Sequence, residues 1–261
     1  MLINLTQGHL GLLQACPRKF QQVYLEGLSG PPSPDLQHSQ LWGSRFHLLM
    51  QQRELGLPLP TDSADDEGLR ECMQALLETT PDLFKSDLTT FRQSEHRRSH
   101  VFNGYILTVI YDLLILKPNS GLIIDWKTYL QPKHQAALEQ DWQTRLYLYV
   151  LVETTDLQPD QVSMSYWFVR NRDPQTKALA PQQVAIRYSL TKHEQTRQAL
   201  TKLTQALSEY QSAGEFPLVV PGSRECDRCS FVAPCGRLPE TALDLNLANL
   251  PALEEIEEVP L

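Results

Sequence analysis

The sequence LIIDWK at residues 122–127 joins an apolar run to two charges. Side chains alternate between the faces of a strand, so Asp125 and Lys127 share one face while Trp126 takes the other. The apolar run before them is rich in β-branched residues, which favour strands. This stretch therefore predicts a buried strand that ends with a carboxylate and an amine on the same side of a sheet.

Another apolar stretch lies just before it in the chain. Residues 109–116 read VIYDLLIL, in which Asp112 is the lone charge. An isolated buried carboxylate is costly unless it is paired or binds a metal ion. The sequence KPNS at residues 117–120 predicts a hairpin loop that joins this strand to the next one.

The register of the predicted hairpin determines whether the two aspartates meet. If Leu116 faces Gly121, Asp112 falls opposite Asp125, and directly opposed side chains lie roughly 5 Å apart. A register slipped by one residue would place Asp112 opposite Trp126 and on the wrong face. A site that uses both aspartates therefore requires the first register.

Two carboxylates this close repel each other unless a divalent cation lies between them. Oxygen ligands suit Mg²⁺ or Mn²⁺. Beside such an ion, Lys127 would orient an attacking water and stabilise charge on a phosphate. The alternative is that Asp125 and Lys127 form an ion pair at a strand end and that Asp112 is solvated.

The whole chain predicts an α/β fold in which a central mixed sheet is flanked by helices. Loops are predicted at residues 29–34, 59–68 and 214–238. Strands are predicted at residues 89–95, 101–116, 122–127, 162–170 and 183–189, and helices at 6–26 with a break at Pro17, 41–55, 69–78, 136–153 and 191–213.

The net charge of −8 argues mildly against a nucleic-acid partner. Six acidic residues and no Lys or Arg lie in residues 239–261, however, which predict a disordered acidic tail after a domain at residues 1–238. Without this tail, 23 basic residues face 25 acidic ones, so the body can hold a basic groove. No apolar run approaches a membrane span and no signal peptide is recognisable, so we expect a cytoplasmic protein.

Three of the five cysteines lie close together in sequence: Cys226, Cys229 and Cys235. An odd count without a secretion signal disfavours a disulfide framework, so this cluster indicates a metal site. A tetrahedral site needs a fourth ligand. Cys72 lies within a predicted helix and is expected to be a buried thiol.

Asp112 followed by Asp125-Trp126-Lys127 resembles the active-site motif of the PD-(D/E)XK nuclease superfamily, specifically of its RecB-like exonuclease branch. GSRFH at residues 43–47 is similar to the GxxxH motif of that branch, and QTRLY at residues 143–147 is similar to its QxxxY motif. The motifs follow the family's order, and the resemblance covers nearly the whole chain. It implies a restriction-endonuclease-like core.

The resemblance also implies a role for each matching residue. Lys127 would orient water, while Gln143 and Tyr147, which share a helix face, would support the site and the DNA. Glu95 lies where many members have a Glu before the Asp strand. The implied ligands of one or two Mg²⁺ or Mn²⁺ ions are His47, Asp112, Asp125 and the carbonyl of Trp126.

The sequence departs from the family pattern at three positions. Val109 stands where many members have Gly, Gln51 where an acidic residue is usual, and Tyr129 where Gly is common. None of these departures removes a metal ligand. Without the other motifs, His47 would be interpreted as a packed or surface histidine.

The cysteines extend the resemblance to iron–sulfur members of the branch, which include AddB-type nuclease domains and CRISPR-associated RecB-like exonucleases. ACPRKF at residues 15–20 is similar to their N-terminal Cys-Pro segment. The resemblance implies that Cys16 and the C-terminal triad Cys226, Cys229 and Cys235 hold a 4Fe–4S cluster. The cluster would join the two terminal segments and close a loop of over 200 residues, which gives it a mainly structural role. Zn²⁺ in a four-cysteine site and unrelated free thiols are the alternatives.

Together these features predict a metal-dependent phosphodiesterase. The resemblance specifies a DNA exonuclease acting on single-stranded ends, in DNA repair, recombination or a related pathway. One alternative is a non-catalytic DNA-binding or assembly module. Another is a subunit active only within a helicase–nuclease or CRISPR adaptation complex. The sequence has no G-x-x-x-x-G-K-S/T phosphate-binding loop, so a helicase motor would be another chain.

Overall fold

A mixed β-sheet forms the centre of the fold. The computed structural model describes residues 3–30, 33–59, 67–85, 90–130, 132–227 and 229–237. Most of the predicted loop at residues 59–68 and the predicted acidic tail at 239–261 lie outside the described residues. The strands are β1 (Ile3–Leu5), β2 (Phe91–Phe102), β3 (Tyr105–Lys117), β4 (Ser120–Lys127), β5 (Val162–Phe168) and β6 (Gln182–Arg187).

The strand directions confirm the prediction of a mixed sheet. β1 is parallel to β3 and β4 is parallel to β5, whereas the other pairs, β2–β3, β3–β4 and β5–β6, are antiparallel. β2 pairs with β3 along nearly its whole length, so β1 and β4 share the opposite edge of β3. There β1 pairs with residues 105–107 and β4 with residues 113–117. Residues 108–112 of β3 therefore lie in a gap between two strands.

Helices cover both faces of this sheet, as predicted. Alternate residues of β4 point to opposite faces, so Ile123 and Ile124 belong to different clusters of buried side chains. The cluster around Ile123 includes residues of α1, α6 and α7, and the cluster around Ile124 includes residues of α3 and α4. The helices are α1 (Gln7–Ala15), α2 (Pro17–Phe20), α3 (Pro34–Glu54), α4 (Glu67–Thr79), α5 (Gln135–Gln140), α6 (Trp142–Glu153) and α7 (Leu190–Ala213).

The hairpin between β2 and β3 corrects the prediction. The chain turns at Asn103 and Gly104, whose φ angles are 48° and 81°. Two successive positive φ angles are typical of the type I′ turn, which the sequence Asn-Gly favours. The prediction of a continuous strand over residues 101–116, with a break before it, is wrong because strand-forming residues on both sides obscured this turn.

The predicted helix at residues 136–153 is two helices, α5 and α6. Asp141 separates them and caps α6, because its side chain accepts a hydrogen bond from the backbone N–H of Gln143 at 3.2 Å. Helix α3 is longer than predicted, since it begins at Pro34 within the predicted loop; proline is well suited to a first helical position. None of the described helices is long and apolar enough to cross a bilayer.

Candidate active site

The candidate active site is a cavity of about 750 Å³ in the gap between β1 and β4, hereafter the cleft. Residues from α3, β3, β4 and α6 converge on it because these elements meet at this edge of β3. The cleft brings together the residues predicted for catalysis and metal binding, namely His47, Asp112, Asp125, Trp126, Lys127, Gln143 and Tyr147.

The β3–β4 hairpin has the predicted register, with Leu116 opposite Gly121. The ladder ends one pair before the two aspartates, where the strands diverge. There the Asp112 side chain accepts a hydrogen bond from the backbone N–H of Trp126 at 2.7 Å. This carboxylate thus replaces a main-chain partner and holds the end of β4 beside β3.

Asp125 is almost completely buried, with 2% of its surface exposed. Burial and repulsion from Asp112 raise the pKa of Asp125, although Lys127 and the positive charge of His47 oppose the rise. One carboxylate oxygen accepts a hydrogen bond from Gln143 at 2.5 Å. The other, Oδ2, makes no well-aligned hydrogen bond even though Nζ of Lys127 is 2.7 Å away. A buried oxygen in this state is costly and can serve as a ligand for a cation.

Lys127 is held in place by polar and aromatic partners. Its Nζ donates a hydrogen bond to Oε1 of Gln143 at 2.6 Å, and it lies 5.1 Å from the ring centroid of Tyr166. The Gln143 side chain therefore bridges the two charges, because its Nε2 donates to Asp125 while its Oε1 accepts from Lys127. The bridge fixes the direction of the ammonium group.

His47 connects α3 to the two strands. Its Nε2 is 3.0 Å from the carbonyl oxygen of Trp126, and its Nδ1 is 3.3 Å from a carboxylate oxygen of Asp112. Burial disfavours the charged ring, but the hydrogen bond to Asp112 and the charges of Asp112, Asp125 and Glu95 outweigh it and raise the pKa of His47 to about 9. Carboxylates that attract a proton to this ring will also attract a metal cation.

A glycine lets α3 approach the end of β4. A Cβ atom added to Gly43 would lie 3.0 Å from Oγ1 of Thr128, closer than ordinary van der Waals contact. His47 follows one helical turn later on the same face, so the close approach places its ring against Trp126. This packing gives a physical reason for the spacing of Gly43 and His47.

Glu95 completes the acidic group, although the predicted ligand set did not include it. One ligand atom each of His47, Glu95 and Asp112 lie within 4.8 Å of one another. Glu95 has a φ of 49°, and the β2–β3 ladder pairs the residues on either side of it but skips Glu95 itself. Such strained backbone costs about 1–3 kcal/mol and is characteristic of functional sites. The sequence signal for this residue was its position before the Asp strand.

The three carboxylates of the site repel one another. Burial and the neighbouring charges of Asp112 and Asp125 raise the pKa of Glu95, while His47 opposes the rise. Three carboxylates, an imidazole and the Trp126 carbonyl line one cleft. This donor set, rich in oxygen, fits Mg²⁺ or Mn²⁺.

Tyr147 is a buried residue of the cleft lining. Its side chain is 4% exposed, and burial together with the charges of Asp125 and Asp112 raises its pKa, while the Gln143 side chain and the backbone of Ile110 oppose the rise. Its ring packs edge-on against Tyr111 at a centroid distance of 5.3 Å. Gln143 and Tyr147 thus share the face of α6 that points to the cleft.

The four cysteines predicted to bind a metal line one small cavity, of about 20 Å³. Burial and the neighbouring thiols of Cys229 and Cys16 raise the pKa of Cys235. The two terminal segments also meet nearby, since the backbone N–H of Arg18 donates to the carbonyl of Pro217 at 3.3 Å. The structure brings these thiols together, and the group that they bind stays a prediction. Cys72 is buried in α4, as expected.

Comparison with known proteins agrees with this geometry. A family model of the PD-(D/E)XK nuclease superfamily matches residues 4–236. No curated protein matches the sequence. Among solved structures, the chain is similar to a putative exonuclease from Eubacterium rectale, with a TM-score of 0.52 and 10% identity over 94% of this chain and 93% of that one. It also matches SSO0001 with a TM-score of 0.39 and 14% identity, over 90% of this chain and 87% of that one.

The structural similarity to the Eubacterium rectale protein bears on the fold alone, because so few residues are identical. The family model carries the assignment, since it spans the sheet, both helical layers and the residues of the cleft. On this evidence the chain belongs to the PD-(D/E)XK nuclease superfamily.

Proposed function

We propose that this nuclease is a Mg²⁺- or Mn²⁺-dependent exonuclease that degrades DNA from single-stranded ends. The observation that carries the proposal is the convergence of ligand atoms from His47, Glu95 and Asp112 within 4.8 Å, beside the buried pair Asp125 and Lys127. A structural ion pair would not need two further carboxylates and a strained backbone next to it.

The reaction is hydrolysis of a phosphodiester bond. A bound Mg²⁺ or Mn²⁺ would neutralise charge on the phosphate and lower the pKa of water. Water attacks phosphorus in line with the leaving oxygen, and the bond from phosphorus to that oxygen breaks. The residues that would hold the cation are His47, Glu95, Asp112, Asp125 and the carbonyl of Trp126.

Lys127 and Gln143 would position the reactants. The ammonium group donates hydrogen bonds, so it can orient the attacking water and stabilise negative charge that develops on the phosphate. Gln143 keeps this group beside Asp125 throughout, because it bonds to both side chains. Tyr147 lies one turn after Gln143 on α6 and lines the same cleft.

The proposed specificity for single-stranded DNA ends is supported by the resemblance of the motif set to RecB-like exonucleases. We place the activity in DNA repair, recombination or a related pathway. A helicase or a CRISPR adaptation protein would be a suitable partner there, because it would supply or consume a single strand.

Cleavage of defined substrates tests the proposal. With Mn²⁺, the wild-type protein should shorten a linear single strand from its end and leave a circular single strand intact. Asp125→Ala and Lys127→Ala should each abolish cleavage while circular dichroism shows a folded protein. Wild-type activity in both variants would disprove the assignment of these residues, and cleavage of the circle would identify an endonuclease.

We also propose that Cys16, Cys226, Cys229 and Cys235 hold a 4Fe–4S cluster. These four thiols lie in the described part of the chain and line one small cavity. The resemblance of Cys16 and the C-terminal triad to the cysteine segments of iron–sulfur members supports the cluster over a tetrahedral Zn²⁺ site.

The metal content of anaerobically purified protein tests this second proposal. We expect a brown protein whose broad visible absorption fades on reduction and which contains about four iron atoms per chain. A colourless protein with one bound zinc per chain would support the zinc alternative and disprove the cluster.

A further inference from the structure

Three large apolar side chains are exposed in the cleft, beside its buried charges. Leu48 is 52% exposed, Ile110 is 45% exposed and Tyr129 is 36% exposed, and all three line the cavity that contains the predicted metal ligands. We call these three residues the apolar rim. Exposed apolar groups that share one cavity commonly indicate a binding surface.

Each residue of the apolar rim is close in sequence to a residue of the candidate site. Leu48 follows His47 on α3, Ile110 lies two residues before Asp112 on β3, and Tyr129 lies two residues after Lys127. Backbone connectivity therefore holds the rim near the site of phosphate cleavage.

The ring of Tyr129 packs against a buried side chain of β5. That side chain is Phe168, and the two rings have a centroid distance of 5.4 Å and an interplanar angle of 67°. This contact restricts the ring, while more than a third of the residue stays exposed and the residue lines the cleft. An aromatic ring that is ordered before binding loses little conformational entropy when a ligand stacks on it.

The cleft offers few positive charges to a phosphate backbone. Among its described lining residues, Lys127 is the only Lys or Arg, and it already contacts Asp125 and Gln143. Arg92, which lies on the strand that carries Glu95, is bound to the carboxylate of Glu54 at 2.5 Å. Apart from His47 and a bound cation, the described lining of the cleft therefore has little positive charge to offer DNA, which leaves a role for uncharged contacts.

We infer that the apolar rim binds the unpaired nucleobase next to the scissile phosphate and that Tyr129 stacks on this base. This inference rests on the proposed nuclease function and specifies how the substrate is selected. A base in a duplex is held in the stack by its pairing partner, whereas an unpaired base can leave its neighbours at low cost and present a face to Tyr129. Stacking on an aromatic side chain accepts any base, so the rim would select unpaired DNA without selecting sequence.

A binding experiment tests the inference without cleavage. In EDTA, an oligonucleotide with 2-aminopurine at its end reports stacking by loss of fluorescence. We expect the wild-type protein to quench this fluorescence and to bind the oligonucleotide at least fivefold more tightly than Tyr129→Ala does, since one stacked base contributes about 1–3 kcal/mol. Tyr129→Phe keeps the aromatic ring, so this variant should quench the fluorescence as the wild-type protein does.

An abasic substrate provides the matching change in the DNA. With Mn²⁺, removing the base next to the cleaved phosphate should raise the KM of the wild-type protein at least fivefold, and should raise the KM of Tyr129→Ala much less, because its stacking partner is already missing. Phe91→Ala is the control, since Phe91 is an aromatic residue 45% exposed outside the cleft lining, and its KM values should match those of the wild type.

The outcomes distinguish this inference from the proposed function. If the wild-type protein cleaves DNA but Tyr129→Ala matches it in quenching and in KM, the inference is overturned and the nuclease proposal stands. If Tyr129→Phe is as weak as Tyr129→Ala, the hydroxyl is the active part and stacking is overturned. If no DNA is cleaved, the proposed function fails, and quenching in EDTA still decides the role of Tyr129.

Discussion

Gln143 is the residue through which the two charged groups at the end of β4 are coupled. Its amide contacts Asp125 at 2.5 Å and Lys127 at 2.6 Å. Without this amide, the buried carboxylate would lose a hydrogen bond and the ammonium group would lose the partner that fixes its direction. Without the Gln143 amide, the site would keep its charged groups, but their positions relative to one another would change.

We therefore expect Gln143→Ala to lower kcat/KM for Mn²⁺-dependent cleavage by roughly 10–100-fold, the usual effect of removing a residue that orients metal ligands. Steady-state cleavage of an end-labelled single strand measures the change. Gln198→Ala is the control, because Gln198 is an exposed residue of α7 whose side chain donates to Glu194, outside the cleft lining. Equal activity of Gln143→Ala and Gln198→Ala would contradict the positioning role.

Glu95 combines a charge and a strained backbone, and two variants separate these contributions. Glu95→Gly and Glu95→Ala both remove the carboxylate, but only Gly adopts a positive φ without penalty. We expect Glu95→Gly to be more stable than Glu95→Ala by about 1 kcal/mol in urea unfolding. Both variants should bind Mn²⁺ at least tenfold more weakly in calorimetric titration. Glu95→Ala that is as stable as Glu95→Gly would show that the backbone there is not strained.

At the scale of elements, the contact between α3 and β4 places His47. A methyl group at Gly43 must displace Thr128 or move the helix, since the ideal Cβ position is only 3.0 Å from the Thr128 hydroxyl. Ala also favours helix by about 1 kcal/mol over Gly, which offsets the crowding in the free energy of unfolding. Gly43→Ala should consequently affect the active site more than it affects the stability of the fold.

We expect Gly43→Ala to reduce Mn²⁺ affinity about tenfold, because His47 shifts relative to the aspartates, while the unfolding midpoint changes little. Gly68→Ala on α4 is the matched control, because a Cβ there meets nothing within 4 Å. Calorimetric titration and thermal unfolding of both variants measure the two effects. Unchanged Mn²⁺ affinity in Gly43→Ala would mean that the close approach does not position His47.

The elements differ in how far the sequence could predict them. The β3–β4 register was predictable, because only one pairing places Asp112 and Asp125 on the same face. The turn at Asn103 and Gly104 was predictable in principle, because an Asn-Gly pair favours a hairpin turn. It was missed because the strand-forming residues on both sides of the pair suggested one continuous strand. The strained conformation of Glu95 was not predictable, since tertiary packing and not local sequence imposes a positive φ on a glutamate.

At the scale of the whole molecule, the first and last segments of the described chain meet. Phe20 stacks on Phe216 at a centroid distance of 6.4 Å, close to the cavity that the four cysteines line. Helix α1 begins at Gln7, which lines the cleft, and ends at Ala15, next to Cys16. A metal cluster at the cysteines would therefore anchor a helix whose other end contributes to the active site.

Cys16→Ser tests this anchoring, because it removes the one predicted ligand that lies outside the C-terminal segment. Loss of a cross-link that closes so long a loop should lower the free energy of unfolding by roughly 2–5 kcal/mol and should remove the visible absorption. Cleavage should fall as well, through the displaced start of α1. Cys72→Ala is the control, since Cys72 is buried in α4 away from the other thiols and should leave iron content unchanged. Retained colour and stability in Cys16→Ser would show that the N-terminal cysteine binds no metal and that the contacts of Phe20 with Phe216 and of Arg18 with Pro217 suffice to join the two segments.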